Sequence, residues 1–165
     1  MKTDDPDILQ LCIHLTRVLK ARGWMMAAAE SCTGGLIAAC CTALSGSSDW
    51  FERGFVTYSN AAKTEQLGVP AALIEAHGAV SEPVARAMAL GAVAHSRAQV
   101  SVAVTGVAGP TGGSADKPVG LVWFGWAVGN QAWTEYRRFD GDRDAVRAAT
   151  VEHALRGLLA RLNAA

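Results

Sequence analysis

A serine in the segment AESCTGG is the first side chain of this sequence that could perform covalent chemistry. Ser31 lies one turn before a glycine-paired helix start, where backbone N–H groups from Thr33 to Gly35 could face a developing oxyanion. Gly34 and Gly35 would let a substrate approach closely. The pattern indicates acyl transfer, while a structural interpretation, in which Ser31 and Thr33 only cap the helix, stays open. Cys32 is a rival nucleophile that we expect to be buried, because adjacent side chains at a strand end point in opposite directions.

A lysine and a tyrosine follow the next predicted strand and could move the serine proton. Lys63 lies in the first turn of a helix that Asn60 could cap, where the positive end of the helix dipole lowers the pKa of an amine. Partial burial would lower this pKa further, so that a neutral amine could accept the Ser31 proton. Tyr58, at a strand end, could relay a proton or donate one to a leaving group. The alternatives are a solvated surface lysine and a tyrosine that only packs.

A glycine-rich segment, TGVAGPTGG, follows the strongest predicted strand and could bind an anion. Such a composition can expose consecutive backbone N–H groups to a phosphate. The candidate substrate-binding residues in it are Thr105, Gly106, Gly109 and Gly112. The segment matches neither the Walker A pattern nor a dinucleotide-binding fingerprint. A long flexible connection that binds nothing is the open alternative.

Several polar side chains have two possible assignments. Lys117, Arg143 and Arg147 could neutralise a bound phosphate, or they could be exposed residues that only keep the surface soluble. Ser47 and Ser48 belong to a serine-rich loop and compete as nucleophiles. The position of that loop in the fold decides the question, since no spacing argument does.

Alternating strand and helix patterns predict the elements that must position these side chains. The predicted strands cover residues 24–29, 55–59, 100–105, 121–128 and 133–139, the last two forming a hairpin around Gly129 and Asn130. The predicted helices begin at or just after Asp5, Thr33, Asn60, Pro70, Ser81 and Asp142, and the last two extend to about residues 96 and 162. This order predicts an α/β fold, a three-layer α/β/α sandwich with a mixed, mostly parallel sheet. In such sheets ligands bind at the carboxyl ends of the strands, where all three candidate segments are predicted to lie.

The composition favours one domain over residues 1–165 and excludes several classes of function. Hydrophobic residues make up 50% of the chain and charged residues 18%, which argues against disorder. Fifteen basic and fifteen acidic side chains cancel, so no overall field favours nucleic acid or an anionic membrane as a partner. No signal peptide and no membrane-spanning run is recognisable, so we expect a cytoplasmic protein.

Three residue types predict whether the chain binds a metal and whether it assembles. They are the cysteines, the histidines and the large apolar residues. The cysteines lack CxxC spacing, which predicts reduced and mostly buried thiols at Cys12, Cys32, Cys40 and Cys41. The histidines are scattered, so we expect no metal site and no cofactor. Trp50, Phe51 and Trp133 are apolar residues that look exposed and hint at a homo-oligomer, for which a dimer is our guess.

Four ordered segments together resemble one known family: AESCTGG, SGSSDWFERGFVTYSNAAKTEQLGV, HGAVSEPVARAMA and AVTGVAGPTGGSADKPVGLVW. They are similar to the C-terminal domain of the competence/damage-inducible CinA family, which also occurs as stand-alone nicotinamide-nucleotide amidases. The resemblance covers about residues 28–128. Longer members of that family carry a further N-terminal domain related to molybdopterin-binding proteins.

The resemblance implies an α/β/α fold and hydrolysis of the carboxamide of nicotinamide mononucleotide, without a metal, in pyridine-nucleotide salvage. It further implies that Ser31 meets the amide carbonyl, that Lys63 accepts the serine proton and that Tyr58 assists the departure of ammonia. The glycine loop with Thr105 would hold the phosphate or the ribose. A nucleotide-sensing or partner-binding module without chemistry is the alternative, whereas nucleic-acid binding lacks a basic excess to support it.

Overall fold

A single five-stranded sheet forms the middle layer of the molecule. The computed structural model describes residues 5–165, so the start of the predicted domain at residue 1 lies outside the described part. The strands are Met26–Glu30 (β1), Phe51–Val56 (β2), Val100–Gly106 (β3), Leu121–Val128 (β4) and Gln131–Arg138 (β5), in the spatial order β2-β1-β3-β4-β5. β1 is parallel to β2 and β3, whereas β4 is antiparallel to both β3 and β5. The predicted mixed sheet is confirmed.

Helices cover both faces of the sheet and complete the predicted three layers. They are Pro6–Arg22 (α1), Leu36–Thr42 (α2), Asn60–Leu67 (α3), Ala71–His77 (α4), Glu82–Ala94 (α5) and Arg143–Ala164 (α6). α1, α2 and α6 pack on one face, and α3, α4 and α5 pack on the other. None of the helices within residues 5–165 combines the length and the apolar character needed to cross a bilayer.

Small side chains in the central strand let helices approach from both sides. β1 has the sequence MAAAE and is buried on both faces, with Met26 and Ala28 facing α1 and α6, and Ala27 and Ala29 facing α5. This alternation follows from the two-residue period of a strand. The close approach continues between helices, since a side chain at Gly91 of α5 would meet the Leu67 carbonyl oxygen.

Two predicted strands are shifted along the chain. The first begins at Met26 rather than residue 24, because the N–H of Trp24 still donates to Leu19 at the end of α1. The prediction of residues 55–59 for the second strand is wrong at both ends, since β2 spans Phe51–Val56. The β-branched and aromatic residues that suggested the later range include Tyr58, which lies beyond the strand in the approach to α3.

Three of the residues predicted to cap helices do not cap them in the structure. Asp5 and Asp142 cap α1 and α6 as predicted. Asn60 is the first residue of α3, and the hydroxyl oxygen of Ser59 caps that helix by accepting from Ala62 at 3.0 Å. Ser81 precedes α5, which ends at Ala94 rather than near residue 96, but its hydroxyl donates to the Gly78 carbonyl instead of capping. The third case, Thr33, belongs to the site described below.

Other predictions of the sequence are settled by burial. All four cysteines are free and buried. Trp50 is fully buried, so its contribution to a proposed exposed apolar surface is wrong, while Phe51 is half-buried and Trp133 is exposed. The terminal hairpin turns at Gly129 and Asn130 as predicted, although its second strand begins at Gln131 rather than residue 133.

Candidate active site

The carboxyl ends of three parallel strands bring the candidate segments to one edge of the sheet. Glu30 at the end of β1 pairs with Val56 of β2 and with Val104 of β3. The backbone then continues this pairing beyond the strand, because the N–H of Ser31 donates to Val104 at 3.2 Å and that of Thr57 donates to Glu30 at 2.8 Å. The segments AESCTGG, TYSNAAK and TGVAGPTGG therefore leave the sheet side by side.

A direct hydrogen bond joins the predicted nucleophile and the predicted base. The Nζ atom of Lys63 lies 3.1 Å from the Ser31 hydroxyl oxygen and donates to the Thr57 carbonyl at 2.8 Å. Lys63 projects from the first turn of α3 and is only 1% exposed, whereas Ser31 is partly exposed. The interpretation of Lys63 as a solvated surface residue is therefore wrong. A hydroxyl that solvent can reach lies against an amine that solvent cannot reach.

Burial lowers the pKa of the Lys63 amine. Removal of the ammonium from water lowers the pKa of Lys63, and the neighbouring Cys32 thiol opposes this effect in part. No carboxylate within residues 5–165 forms an ion pair with Lys63. The neutral amine is consequently easier to form here than on a surface lysine, as a general base requires.

A buried carboxylate shapes the turn that carries Ser31. Glu30 is fully buried and accepts from the Thr33 hydroxyl at 2.6 Å, from the Ile37 N–H at 2.8 Å and from the Ala38 N–H at 3.0 Å. The predicted cap at Thr33 is therefore wrong: α2 starts at Leu36, and the Thr33 hydroxyl is a donor to Glu30. An ionised carboxylate is a stronger acceptor than a hydroxyl for the N–H groups at a helix start.

Two glycines permit the turn between Ser31 and α2. Gly34 and Gly35 have φ values of 58° and 103°, which side chains rarely adopt. The N–H of Gly34 donates to the Ser31 carbonyl at 3.0 Å and is thus engaged within the turn. The N–H groups of Thr33 and Gly35 have no acceptor within the described part of the chain. The N–H of Cys32 has no backbone acceptor there either, so three N–H groups of the turn, those of Cys32, Thr33 and Gly35, remain available to a developing oxyanion.

Cys32 is adjacent to Ser31 but faces the other side of the sheet. It is buried in the cluster formed with α1, α2 and α6. Burial raises the pKa of its thiol to about 11, so that little of the nucleophilic thiolate is present near neutral pH. The prediction that Cys32 is a buried small residue is confirmed.

Two arginines of α6 contact the edge of the sheet at the site. Arg143 donates to the Tyr58 hydroxyl oxygen at 3.1 Å and to the Gly109 carbonyl at 2.9 Å. Arg147, one turn later, donates to the carbonyls of Cys32 and Thr33 at 3.2 Å each. Arg143 is exposed, as the solubilising interpretation expects, and Arg147 is half-buried, but both also make the specific contacts given above. Tyr58 is 62% exposed, so its ring does not pack in the core as the alternative assignment held.

The glycine loop is anchored at its ends and exposed at its tip. The Thr105 hydroxyl is buried and donates to the Ala79 carbonyl at 2.9 Å, and Gly106 packs against Val122 of β4. Residues 111–116 are exposed, among them Gly112 with a φ of 89°. Lys117 does not extend to the loop tip, because its Nζ donates to the His77 carbonyl at 2.6 Å. Among the predicted loop residues, Gly112 is exposed and Gly106 is half-buried, whereas Thr105 and Gly109 are buried.

Known proteins resemble this chain over most of its length. The family model of the CinA C-terminal domain matches residues 9–162. This chain belongs to the CinA C-terminal domain family. Its curated relatives include a protein of Pseudomonas putida named nicotinamide-nucleotide amidohydrolase PncC, 55% identical over 155 residues that cover 94% of this chain and 96% of that protein. A protein of the same name from Enterobacter agglomerans is 52% identical over 91% of this chain and 92% of its own length.

A solved structure of the CinA family has the same fold. The competence/damage-inducible protein CihA from Agrobacterium tumefaciens superposes with a TM-score of 0.92 at 46% sequence identity, over 96% of this chain and 97% of its own. The predicted resemblance to the CinA family is thus confirmed over nearly the whole chain, including the ends beyond residues 28–128.

The serine-rich loop lies at the opposite end of the sheet from the CinA-type AESCTGG turn. Ser47–Asp49 form a short 3₁₀ turn just before β2, and the start of β2 pairs with Met26 at the start of β1. At about 3.3 Å per residue, the length of β1 separates this turn from Ser31 by roughly 16 Å. Within one chain Ser47 and Ser48 are therefore not near Lys63.

Across residues 5–165 no group of three or more His, Cys, Asp or Glu side chains is placed to hold a metal ion.

Sequence reasoning missed two contributors to the site. Glu30 is not among the predicted site residues, although a carboxylate directly after an apolar strand and before a glycine-paired helix start is a signal for such support. Thr57 is not among them either, yet its carbonyl is the second acceptor of Lys63. No pattern in the sequence indicates that contact, because it depends on where α3 packs.

Proposed function

We propose that this chain hydrolyses the carboxamide of nicotinamide mononucleotide to nicotinate mononucleotide and ammonia, with Ser31 as nucleophile and Lys63 as base. The observation that carries the proposal is the 3.1 Å contact between the Ser31 hydroxyl and a buried Lys63 amine that forms no ion pair with a carboxylate of residues 5–165. The names of the relatives, nicotinamide-nucleotide amidohydrolase, support the substrate class. We place the reaction in the cytoplasm, in pyridine-nucleotide salvage.

The proposed reaction proceeds through an acyl-enzyme. The neutral Lys63 amine accepts the Ser31 proton while the serine oxygen forms a bond to the amide carbon. The tetrahedral intermediate then breaks its C–N bond, and the nitrogen leaves as ammonia after gaining a proton. A water molecule cleaves the ester in a second addition, which yields the carboxylate and returns the proton to Ser31. Bonds and protons balance with water as the only co-substrate.

Backbone donors and Tyr58 have separate parts in this scheme. The N–H groups of Thr33 and Gly35 stabilise the oxyanion, a contribution that elsewhere is worth about 10² to 10³ in rate per donor. An arginine has only donors, so in its bond to Arg143 the Tyr58 oxygen accepts and the phenolic hydrogen is left for another partner. We assign that hydrogen to a hydrogen bond with the departing nitrogen, which takes its proton from the Lys63 ammonium, so that Lys63 is neutral again for the second addition.

The remainder of the substrate would lie between the glycine loop and the start of α6. An open cavity of about 480 Å³ is present there, and Ala108, Pro110 and Arg143 are part of its lining. Gly106, Gly109 and Gly112 would line the ribose phosphate, with Arg143 as the nearest cation. In this proposal Thr105 holds the Ala79 loop in place and does not contact the phosphate through its hydroxyl.

The assembly of the chain stays a prediction. Exposed Trp133 and Tyr136 of β5 give the surface large apolar side chains outside the site, and exposed Val56 lies at its edge, beside Gly35. Homo-oligomer formation, with a dimer as the simplest form, would cover some of them.

Product analysis of matched serine variants tests the proposal. The purified chain is incubated with nicotinamide mononucleotide, and both ammonia and nicotinate mononucleotide are quantified. We expect Ser31→Ala to lose turnover, while Ser45→Ala, an exposed serine on the loop after α2, keeps the rate of the native chain. Equal ammonia release by the native chain and Ser31→Ala would refute the assignment. Calorimetric nucleotide binding by a native chain without turnover would instead favour the non-catalytic binding module.

A further inference from the structure

A second hydroxyl beside the Ser31–Lys63 pair has no visible role. The side-chain oxygen of Thr57 is fully buried, and within residues 5–165 it has no hydrogen-bond partner. Buried hydroxyls are rarely left in this way, because an unmade bond costs roughly 1 to 3 kcal/mol. The backbone of Thr57 is by contrast fully engaged, with its N–H on Glu30 and its carbonyl on Lys63. The hydroxyl oxygen without a partner thus belongs to the same residue whose carbonyl accepts a hydrogen bond from Lys63.

Lys63 also has an unmet requirement once it takes up a proton. An ammonium has three N–H donors, and the described residues offer it two acceptors, the Ser31 oxygen and the Thr57 carbonyl. No carboxylate in the described part of the chain forms an ion pair with it, so neutral oxygens must stabilise the charge. A buried cation with a missing partner is costly in a low-dielectric surrounding.

We infer that the Thr57 hydroxyl is the third acceptor of the Lys63 ammonium that forms when Ser31 gives up its proton. Covalent geometry keeps a threonine hydroxyl within about 4.5 Å of the carbonyl oxygen of the same residue. That carbonyl is 2.8 Å from Lys63 Nζ, so the Thr57 hydroxyl oxygen lies within roughly 7 Å of the amine. The inference requires a side-chain rotation of Thr57 or Lys63 that brings the two together. Thr57 is then a positioning residue that acts through the base. The inference rests on the proposed serine–lysine mechanism.

The titratable side chains described around Lys63 do not provide the third acceptor that its ammonium needs. The titratable side chains on β2, α4 and α5, which pack against α3, are Glu52, Arg53, Glu75, His77, Glu82 and Arg86, and His95 follows α5 directly. Within residues 5–165 none of them bonds to Lys63, and the charge that bears on its pKa is that of the Cys32 thiol. The nearby Glu30 carboxylate binds the start of α2, and Arg143 binds Tyr58 and Gly109. Other charges therefore do not substitute for the missing acceptor.

Two substitutions separate the hydroxyl from the shape of the side chain. Thr57→Val keeps the branched shape and removes the oxygen, whereas Thr57→Ser keeps the oxygen. We expect kcat of Thr57→Val on its pH plateau to fall about 10-fold with KM unchanged, because the ammonium formed in the reaction loses one acceptor. The rising acid limb of kcat/KM should move to lower pH, since the pKa of Lys63 falls when its charged form loses a partner. Thr57→Ser should restore both properties.

The controls distinguish failure of this inference from failure of the proposed function. If Ser31→Ala is inactive while Thr57→Val matches the native chain in kcat and in its acid limb, the role of Thr57 is refuted and the mechanism stands. If Ser31→Ala stays active, the mechanism itself is refuted. A direct ¹⁵N titration of the Lys63 amine in substrate-free protein gives a readout without turnover, and an unchanged pKa in Thr57→Val would also refute the inference. Thermal denaturation verifies folding, and Thr57→Ala replaces Thr57→Val if that variant is unfolded.

Discussion

Replacement of Glu30 by glutamine tests whether a buried carboxylate holds the catalytic turn. Glu30→Gln keeps the size of the side chain but leaves one acceptor oxygen in place of two. The native oxygens accept from the Ile37 N–H and the Ala38 N–H separately, and one of them also accepts from the Thr33 hydroxyl. Whichever way the amide is turned, one helix N–H faces an NH₂ group and loses its partner.

The size of the effect follows from these contacts. A buried hydrogen bond to a charged group is worth about 1.5 to 3 kcal/mol. The negative charge at the start of α2 adds about 0.3 to 1 kcal/mol through the helix dipole. Since a neutral amide is easier to bury than a carboxylate, part of this loss is offset, and we expect a decrease of about 1 to 3 kcal/mol in the free energy of unfolding. For a chain of this length, that corresponds to a decrease in Tm of roughly 2 to 12 °C.

Denaturant and thermal unfolding measure this decrease, with Glu65→Gln as the matched control. Glu65 is an exposed glutamate of α3, and its replacement should change the unfolding free energy by less than about 0.5 kcal/mol. We also expect kcat of Glu30→Gln to decrease, because Ser31 and the free N–H groups of the turn lose their fixed geometry. A stability equal to that of Glu65→Gln would refute the argument that the carboxylate supports α2.

Three further outcomes follow from the same site. Lys63→Met should lower kcat by about 10² to 10⁴ with a small change in KM, as steady-state kinetics with nicotinamide mononucleotide will measure, and an unaltered kcat would exclude Lys63 as the base. Because burial lowers the pKa of Lys63, kcat/KM should rise with pH through a limb below the ordinary lysine value of about 10.4, and a limb at or above that value would contradict its burial. Cys32→Ala should keep the turnover of the native chain. Native Cys32 should resist alkylation at neutral pH, because burial raises the pKa of its thiol to about 11. Rapid labelling of Cys32 in mass spectrometry would contradict this expectation.

The parts of the fold that depend on local patterns could be predicted from the sequence. The terminal helices follow from Asp5, Asp142 and their apolar spacing, and the strand at Val100–Gly106 follows from its β-branched run. The second strand could not be placed correctly, because it is an edge strand whose pairing with β1 begins at Phe51, a long-range contact. Its exposed face gives no apolar run to mark the boundaries.

The site was predictable in its residue types but not in its contacts. The sequence places Ser31 and Lys63 after parallel strands, which is enough to predict that they are neighbours. It does not reveal that Lys63 is buried, because burial depends on how α3 packs over the end of β2 and against α5. It also cannot show that Arg143, more than 80 residues later in the chain, reaches Tyr58.

The register of β1 keeps the supporting carboxylate away from the base. Successive side chains at the end of this strand alternate between the faces of the sheet, so Glu30 faces α2 while Ser31 faces α3. A slip of one residue against β3 would exchange the two faces and bring a carboxylate beside Lys63. Such a partner favours the ammonium and raises the pKa of the amine, which removes the base at neutral pH. The pairing of Glu30 with Val104 is therefore a condition of the chemistry as well as of the fold.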